Sequence, residues 1–235
     1  VEGVGMTENT SFSNLNRYDD YRFGWVGPPG PGVEQKIAED GEILFRGRNV
    51  MKGYYKMPEE TAETFTADGW LRSGDVGDID DPNFLRITGR KKEIIVTSGG
   101  KNVAPQVIEN ALKMEPLIES IALIGDRRKF ISALVVPAFD ELEREAEKRG
   151  IQAKDREELV KHPAVEALYR SRIDAALENF ASYEKVKKFK LLCCPFSQET
   201  GELTPTMKLK RRVVNERYKE EIESMYEETG GAAQR

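Results

Sequence analysis

Four short clusters in this sequence combine residue types that do chemistry together. Near the start, Gly5-Met6-Thr7-Glu8 sets a hydroxyl and a carboxylate side by side behind a glycine. Read alone, it is a strand end running into a polar loop. The run WLRSGDVGDID, residues 70–80, interleaves Asp75, Asp78 and Asp80 with Gly74 and Gly77. Aspartate beside glycine is ordinary turn chemistry, because a short carboxylate caps local backbone donors and glycine accepts positive φ. A carboxylate on a glycine-flanked turn is also a group that can accept both hydroxyls of a ribose. Gly89-Arg90-Lys91-Lys92-Glu93 then packs its cations ahead of Ile94-Ile95-Val96, and Thr97-Ser98-Gly99-Gly100-Lys101-Asn102 follows. This is either a solvated turn or an anion site whose glycine pair brings backbone donors close to a ligand. The fourth cluster, TGELTPTMKLKRR at 200–212, sets Lys208 between a Thr-Pro-Thr turn and a basic helix start. A lysine on a loop restricted by proline can act as a point charge for a phosphate or a developing oxyanion; composition alone reads the same cations as the solvated first turns of a helix.

Other chemistries lack their parts. The spacing GxxxxGK[ST] occurs nowhere, so the Ser98-Gly99-Gly100-Lys101 run is not a Walker loop. The single histidine, His162, precedes Pro163 at an expected helix start and reads as a capping or surface residue. No Ser-His-Asp or Cys-His arrangement can be built around it. Cys193 and Cys194 are adjacent, where a disulfide between neighbours is strained and a metal site lacks partners, so a reduced state is expected. What remains is carboxylates, cations and glycine turns, the equipment of nucleotide and acyl-phosphate chemistry.

The elements that must hold these groups divide in two. With 235 residues, 39% apolar and 33% charged, the chain is long enough for one large or two small cores, and two are expected. Residues 26–88 are punctuated by glycine and proline between short β-type runs at 42–46 and 84–88, as in a small, mostly β unit. Beyond Gly89 the pattern becomes α+β. A helix is predicted over 104–114, a hairpin over 121–124 and 131–136, helices over 141–149 and 163–181, a strand through Val186 to Cys193, and one last helix over 209–227. The formal net charge of -5, from 41 acidic against 36 basic residues, argues against nucleic acid as principal partner. No apolar run approaches the roughly 20 residues that cross a bilayer. The sequence begins with Val1 and lacks a signal-peptide pattern, and is expected to be a piece of a longer chain.

Taken together and in order, the four clusters resemble the later motifs of the adenylate-forming superfamily, which includes acyl-CoA synthetases, luciferases and peptide-synthetase adenylation domains. The likeness covers nearly the whole chain. GEILFRGRNVMKGYYKMPEET, GRKKEIIVTSGGKNVAP and GELTPTMKLKRR look like the long-chain fatty acid branch in particular. The resemblance implies an α+β fold: a small distorted β-barrel-like subdomain over 1–88, ending a large N-terminal domain, followed by a mobile α+β C-terminal domain over 89–235. It further implies that Thr7 contacts the ATP phosphates, Glu8 helps hold Mg2+, Asp75 accepts the ribose hydroxyls and Arg90 contacts the nucleotide. Lys92 falls on the hinge, Lys208 on the catalytic lysine, and Ser98, Gly99, Gly100 and Lys101 on the loop lining the path of CoA.

The implied reaction has two halves: a fatty carboxylate attacks the α-phosphorus of ATP to give acyl-adenylate and pyrophosphate, then the CoA thiol displaces AMP. The expected partners are fatty acid, ATP, CoA and the N-terminal domain of the longer chain, in the cytoplasm or peripherally at a membrane, with no transmembrane segment here. The superfamily's glycine-rich phosphate loop and most of its acyl-binding walls would precede Val1, so the 235 residues alone are expected to be inactive. The alternatives are another acyl- or aryl-CoA ligase or acyl-carrier-protein ligase of the same superfamily, and a non-catalytic module that docks CoA or a protein partner.

Overall fold

The computed structural model describes residues 2–80 and 83–227, which fall into two compact units, Val1–Ile94 and Ile95–Arg235. In the first unit, β1 (Gly3–Val4) pairs antiparallel with β2 (Asn14–Leu15). Strands β3 (Val33–Ile37), β4 (Glu42–Gly47), β5 (Leu71–Asp80) and β6 (Phe84–Arg90) form an antiparallel meander in sequence order. Between β4 and β5 lies α1 (Pro58–Thr64), started by a proline whose missing N–H costs nothing there, with Glu59 and Glu60 favourably placed in its first turn. Ile43, Phe45 and Leu85 make the core, with Val4, Val26, Val33, Ile37, Ile79 and Ile87 packed around them.

The aspartate- and glycine-rich run expected to be a turn is instead most of β5. Two register irregularities, between Glu42 and Leu44 of β4 and between Val76 and Gly77, let a polar, glycine-bearing segment stay in the ladder. Leu71, Ser73, Val76 and Gly77 remain buried while the strand bends. Gly77 has no alternative, since a Cβ there would lie 2.1 Å from the Arg86 carbonyl oxygen. Gly74 supplies the positive φ of 72°.

The second unit begins with the short antiparallel pair β7 (Ile95–Val96) and β8 (Asn102–Val103), then α2 (Pro105–Lys113), β9 (Ile118–Ile124) and β10 (Ser132–Pro137). Helices α3 (Phe139–Lys148), α4 (Arg156–Lys161) and α5 (Pro163–Ala176) lead to β11 (Lys188–Leu191), and α6 (Arg211–Arg217) and α7 (Lys219–Tyr226) follow. The sheet order is β11-β10-β9, with β9 antiparallel to β10 and β11 parallel to it. Helices on both faces explain why β9 and β10 read as nearly continuous apolar runs. Ile121, Leu123, Ala133 and Val135 face the core built with α2, α3, α4 and α5, while Ala122, Ile124, Leu134 and Val136 face Leu203, Val214, Ile222 and Met225. One register step would turn each set toward the wrong helices.

Three expectations need correction. The last helix is broken at Tyr218, whose φ of −102° and ψ of 31° leave the helical region. Its ring stands edge-on to Phe196 with centroids 5.9 Å apart, and that packing outweighs the continuous periodicity. The helix predicted over 163–181 stops at Ala176, freeing Phe180 to turn back onto the core. And α4, not predicted, is announced by Asp155, whose carboxylate accepts from Glu158 N at 2.8 Å as an N-cap. Among the described residues, no helix is long and apolar enough to cross a membrane.

Candidate functional site

Gly5 is required by a close approach: a Cβ there would meet the Ser11 carbonyl oxygen at 1.6 Å. The chain can therefore fold back over a short 3-10 turn, Thr7–Asn9, which leaves Thr7 exposed. Glu8 accepts from the Tyr54 hydroxyl at 2.7 Å, a bond that holds the phenol above its usual pKa. Among the described residues no group of three or more His, Cys, Asp or Glu could hold a metal. One carboxylate on an open turn suits a magnesium ion that arrives with a nucleotide, since Mg2+ keeps several waters and takes few protein ligands.

Asp75 lies on β5 directly opposite Arg90 on β6. Its Oδ1 accepts from Arg90 Nε at 2.9 Å, with the aspartate side chain 14% exposed and the arginine 55%. Burial pushes the Asp75 carboxyl above the ordinary aspartate value, against the pull of Arg90 and with the Glu42 and Glu93 charges adding to the rise. A partly buried carboxylate beside a guanidinium, on a strand bent by a glycine, can bind a vicinal diol next to an anion.

Lys92 is exposed on a 3-10 turn, Lys91–Glu93, just before the end of the first unit. Its neighbour Lys91 is held by Asp40 Oδ2 at 2.7 Å and Glu42 Oε2 at 2.8 Å.

In the second unit, Ser98, Gly99, Gly100 and Lys101 close the β7–β8 pair. Gly100 N donates to Thr97 O at 2.8 Å and Lys101 N to Thr97 Oγ1 at 3.1 Å, with Gly100 at a φ of 73°. A Cβ on Gly99 or Gly100 would meet no atom within 4 Å, so both backbones lie open.

Lys208 sits at the tip of a small hairpin. Leu203 bridges Leu209, Thr204 N donates to Lys208 O at 2.8 Å, Met207 N to Thr204 O at 2.9 Å, and Lys208 N to Thr204 Oγ1 at 3.0 Å. The backbone is thus fixed on both sides of Lys208, whose side chain is exposed and in no ion pair among the described residues. Beneath it, buried Glu202 accepts from Arg217 Nε at 3.1 Å, Ser197 N at 3.3 Å and the Thr200 hydroxyl. Burial alone would raise the Glu202 carboxyl; these bonds overcome it and hold it below the usual glutamate value.

Sequence reasoning missed the carboxylates that brace the candidate groups. Glu42 and Glu202 are 3% and 1% exposed, and Glu42 directly precedes the apolar run Ile43–Phe45. An acid at the threshold of a buried strand is the signal that could have found Glu42, since such a charge must be paired. His162 does cap α5, its Nδ1 accepting from Ala164 N at 3.2 Å. Cys193 and Cys194 are free and exposed, their sulfurs 3.7 Å apart.

The model of the AMP-binding enzyme C-terminal domain family matches residues 92–230. The chain is 42% identical over 229 residues to the long-chain-fatty-acid–CoA ligase FadD15 of Mycobacterium tuberculosis, covering 96% of this chain and 38% of that protein. It is 38% identical to the long-chain-fatty-acid–CoA ligase ACSBG1 of Rattus norvegicus, over 96% of this chain and 34% of that one. Among solved structures, the adenylation domain of a carboxylate reductase from Mycobacterium chelonae matches with a TM-score of 0.72 and 27% identity, over 95% of this chain and 34% of that one. The corresponding domain from Segniliparus rugosus, in complex with AMP and a co-purified carboxylic acid, matches with a TM-score of 0.68 and 28% identity, over 86% and 32% of the two chains. The chain thus spans little more than a third of the length of the relatives it matches.

Proposed function

Because this chain belongs to the family of AMP-binding enzyme C-terminal domains, we propose that it serves a long-chain fatty acid–CoA ligase, as the portion that grips the ribose and supplies the mobile lysine. The first unit is then a distorted β-barrel-like end of a large domain, and the second the C-terminal domain that turns about Lys92. Asp75 accepts the ribose hydroxyls, Arg90 and Thr7 contact the nucleotide, and Glu8 contributes one oxygen to the Mg2+ that travels with ATP.

Lys208 works in the first half-reaction. As the fatty carboxylate attacks the α-phosphorus, negative charge builds on the carboxylate and bridging oxygens, and a preplaced ammonium stabilises that charge more than the ground state. For thioester formation the second unit turns, withdrawing Lys208 and presenting the Ser98 to Lys101 loop, whose open glycine backbone admits the thin pantetheine arm of CoA. The observation that carries this reading is Lys208 itself: an ammonium in no ion pair among the described residues, on a hairpin whose backbone is hydrogen-bonded on both sides of it. A backbone fixed in this way positions the lysine in advance, which is what an electrostatic catalyst needs.

The test is pyrophosphate release across carboxylic acids of increasing chain length, with a full-length ligase carrying this sequence and with the 235 residues alone. Turnover confined to the full-length protein and greatest with long-chain acids is expected. Preference for an aryl or short-chain acid would refute the substrate class, and turnover by the 235 residues alone would refute the division of labour.

A further inference from the structure

Glu42 opens β4 in the first unit and is 3% exposed. Its two carboxylate oxygens are used by different parts of the fold. Oε1 accepts from Gly74 N at 3.0 Å. Oε2 accepts from Arg72 Nη1 at 3.1 Å and from Lys91 Nζ at 2.8 Å. Lys91 is bound also by Asp40 Oδ2 at 2.7 Å, and Asp40 Oδ1 accepts from Glu42 N at 3.1 Å, closing the network on itself.

Two of these attachments fall beside the groups assigned to the nucleotide. Gly74 directly precedes Asp75, and Lys91 directly follows Arg90, while Asp75 and Arg90 face each other across β5 and β6. Gly74 has a φ of 72° and a Cβ there would touch nothing within 4 Å, so neighbouring side chains do not fix its peptide plane. What fixes it is the bond to Glu42, helped by Ser73, whose hydroxyl donates to Ile43 O at 2.6 Å and accepts from Asp75 N at 3.0 Å.

We propose that Glu42 is a positioning residue for ribose recognition: one buried carboxylate anchors the backbone before Asp75 and the side chain after Arg90, fixing the pair in the orientation that receives the sugar hydroxyls. This rests on the reading of Asp75 given above. Glu42 does not touch the nucleotide. It acts because a strand bent at a positive-φ glycine has lost part of its ladder, and a carboxylate with two acceptor oxygens replaces the missing restraint on both sides of the bend. An amide has a single acceptor oxygen. Glu42→Gln can therefore serve Gly74 N or the two cations, but not both.

A merely structural glutamate would lower the amount of active protein and leave its selectivity alone. The experiment is therefore a ratio, kcat/KM for pyrophosphate release with ATP over that with 2′,3′-dideoxy-ATP, measured in the full-length ligase. The ratio does not depend on the fraction of protein that is folded. Asp75→Asn should bring it toward unity. Glu42→Gln should lower it by about 10-fold, within the penalty of displacing a group by a fraction of an ångström to 1 Å. Lys91→Met, on a side chain 38% exposed and tolerant of change, should move it in the same direction and less far, and it decides the matter if Glu42→Gln yields no soluble protein. If Asp75→Asn leaves the ratio unchanged, the ribose assignment fails and this proposal with it. If Asp75→Asn collapses the ratio while Glu42→Gln, or in its absence Lys91→Met, keeps the unmodified value, the ribose assignment stands and the positioning role is overturned.

Discussion

Lys208 and Asp75 are both charged side chains on short backbone devices, yet they differ in what surrounds them. Lys208 is exposed, and its backbone is held by the hairpin that carries it. Lys208→Ala in the full-length ligase should reduce acyl-adenylate formation by about 10² to 10³-fold, the cost of losing one preorganised electrostatic donor. Thioester formation from supplied acyl-adenylate should be largely spared; equal loss in both half-reactions, measured separately, would make Lys208 structural. Asp75 is partly buried and its carboxyl is raised by that burial. Only the ionised form accepts two ribose hydroxyls, so affinity for adenosine, which carries no titrating phosphate, should fall with acidification at a higher pH than an exposed aspartate would give, and the acid limb should vanish in Asp75→Asn. The sign for stability is opposite: a carboxyl raised on folding favours the folded state once protonated, so losing adenosine in acid should not be accompanied by unfolding through this group. Residue type and the resemblance to the adenylate-forming superfamily put both forward as candidates. The sequence conceals Glu42, because a carboxylate reads as surface until its burial is known.

At the scale of elements, legibility follows how many neighbours have a say. The nearly continuous apolar runs at 121–124 and 131–136 predict the β9–β10 pair because each face meets its own set of helices, so pattern and packing agree. Residues 70–80 mislead because glycine and aspartate are turn formers locally, whereas two bulges and the partners β4 and β6 hold them in a strand. The break at Tyr218 is invisible for the same reason: periodicity continues through it, and only the Phe196 ring and the Glu202 carboxylate, 3.5 Å from its hydroxyl, define the corner. The junction of α5 with the sheet offers a test. Tyr169 is fully buried, and its hydroxyl donates to Leu117 O at 2.7 Å. Tyr169→Phe keeps the ring and removes one of two bonds to that carbonyl, which still accepts from Ala138 N at 2.9 Å, so denaturant unfolding should report a loss of about 0.5 to 1.5 kcal/mol. A loss of several kcal/mol would mean that the ring has lost its packing as well as its hydrogen bond.

The two units are built differently: a meander joined by nearest neighbours in the first, and a sheet between two helical layers in the second. The sequence changes character near Gly89, where glycine- and proline-punctuated β runs give way to long apolar periodicities, whereas the two compact units divide between Ile94 and Ile95. The parallel placement of β11 is beyond such reading, because nothing local says which edge a late strand will join. It has a consequence for how the second unit comes into being. Every residue of β10 is buried, but one of its edges stays open until β11 arrives from beyond three helices. Closing so long a loop precedes the reward of the contact, which slows refolding and leaves an apolar, unpaired strand exposed meanwhile. Self-association during refolding should therefore begin at that edge, and the arm bearing Lys208, packed through Leu203 onto the same sheet, should be among the last parts to become ordered.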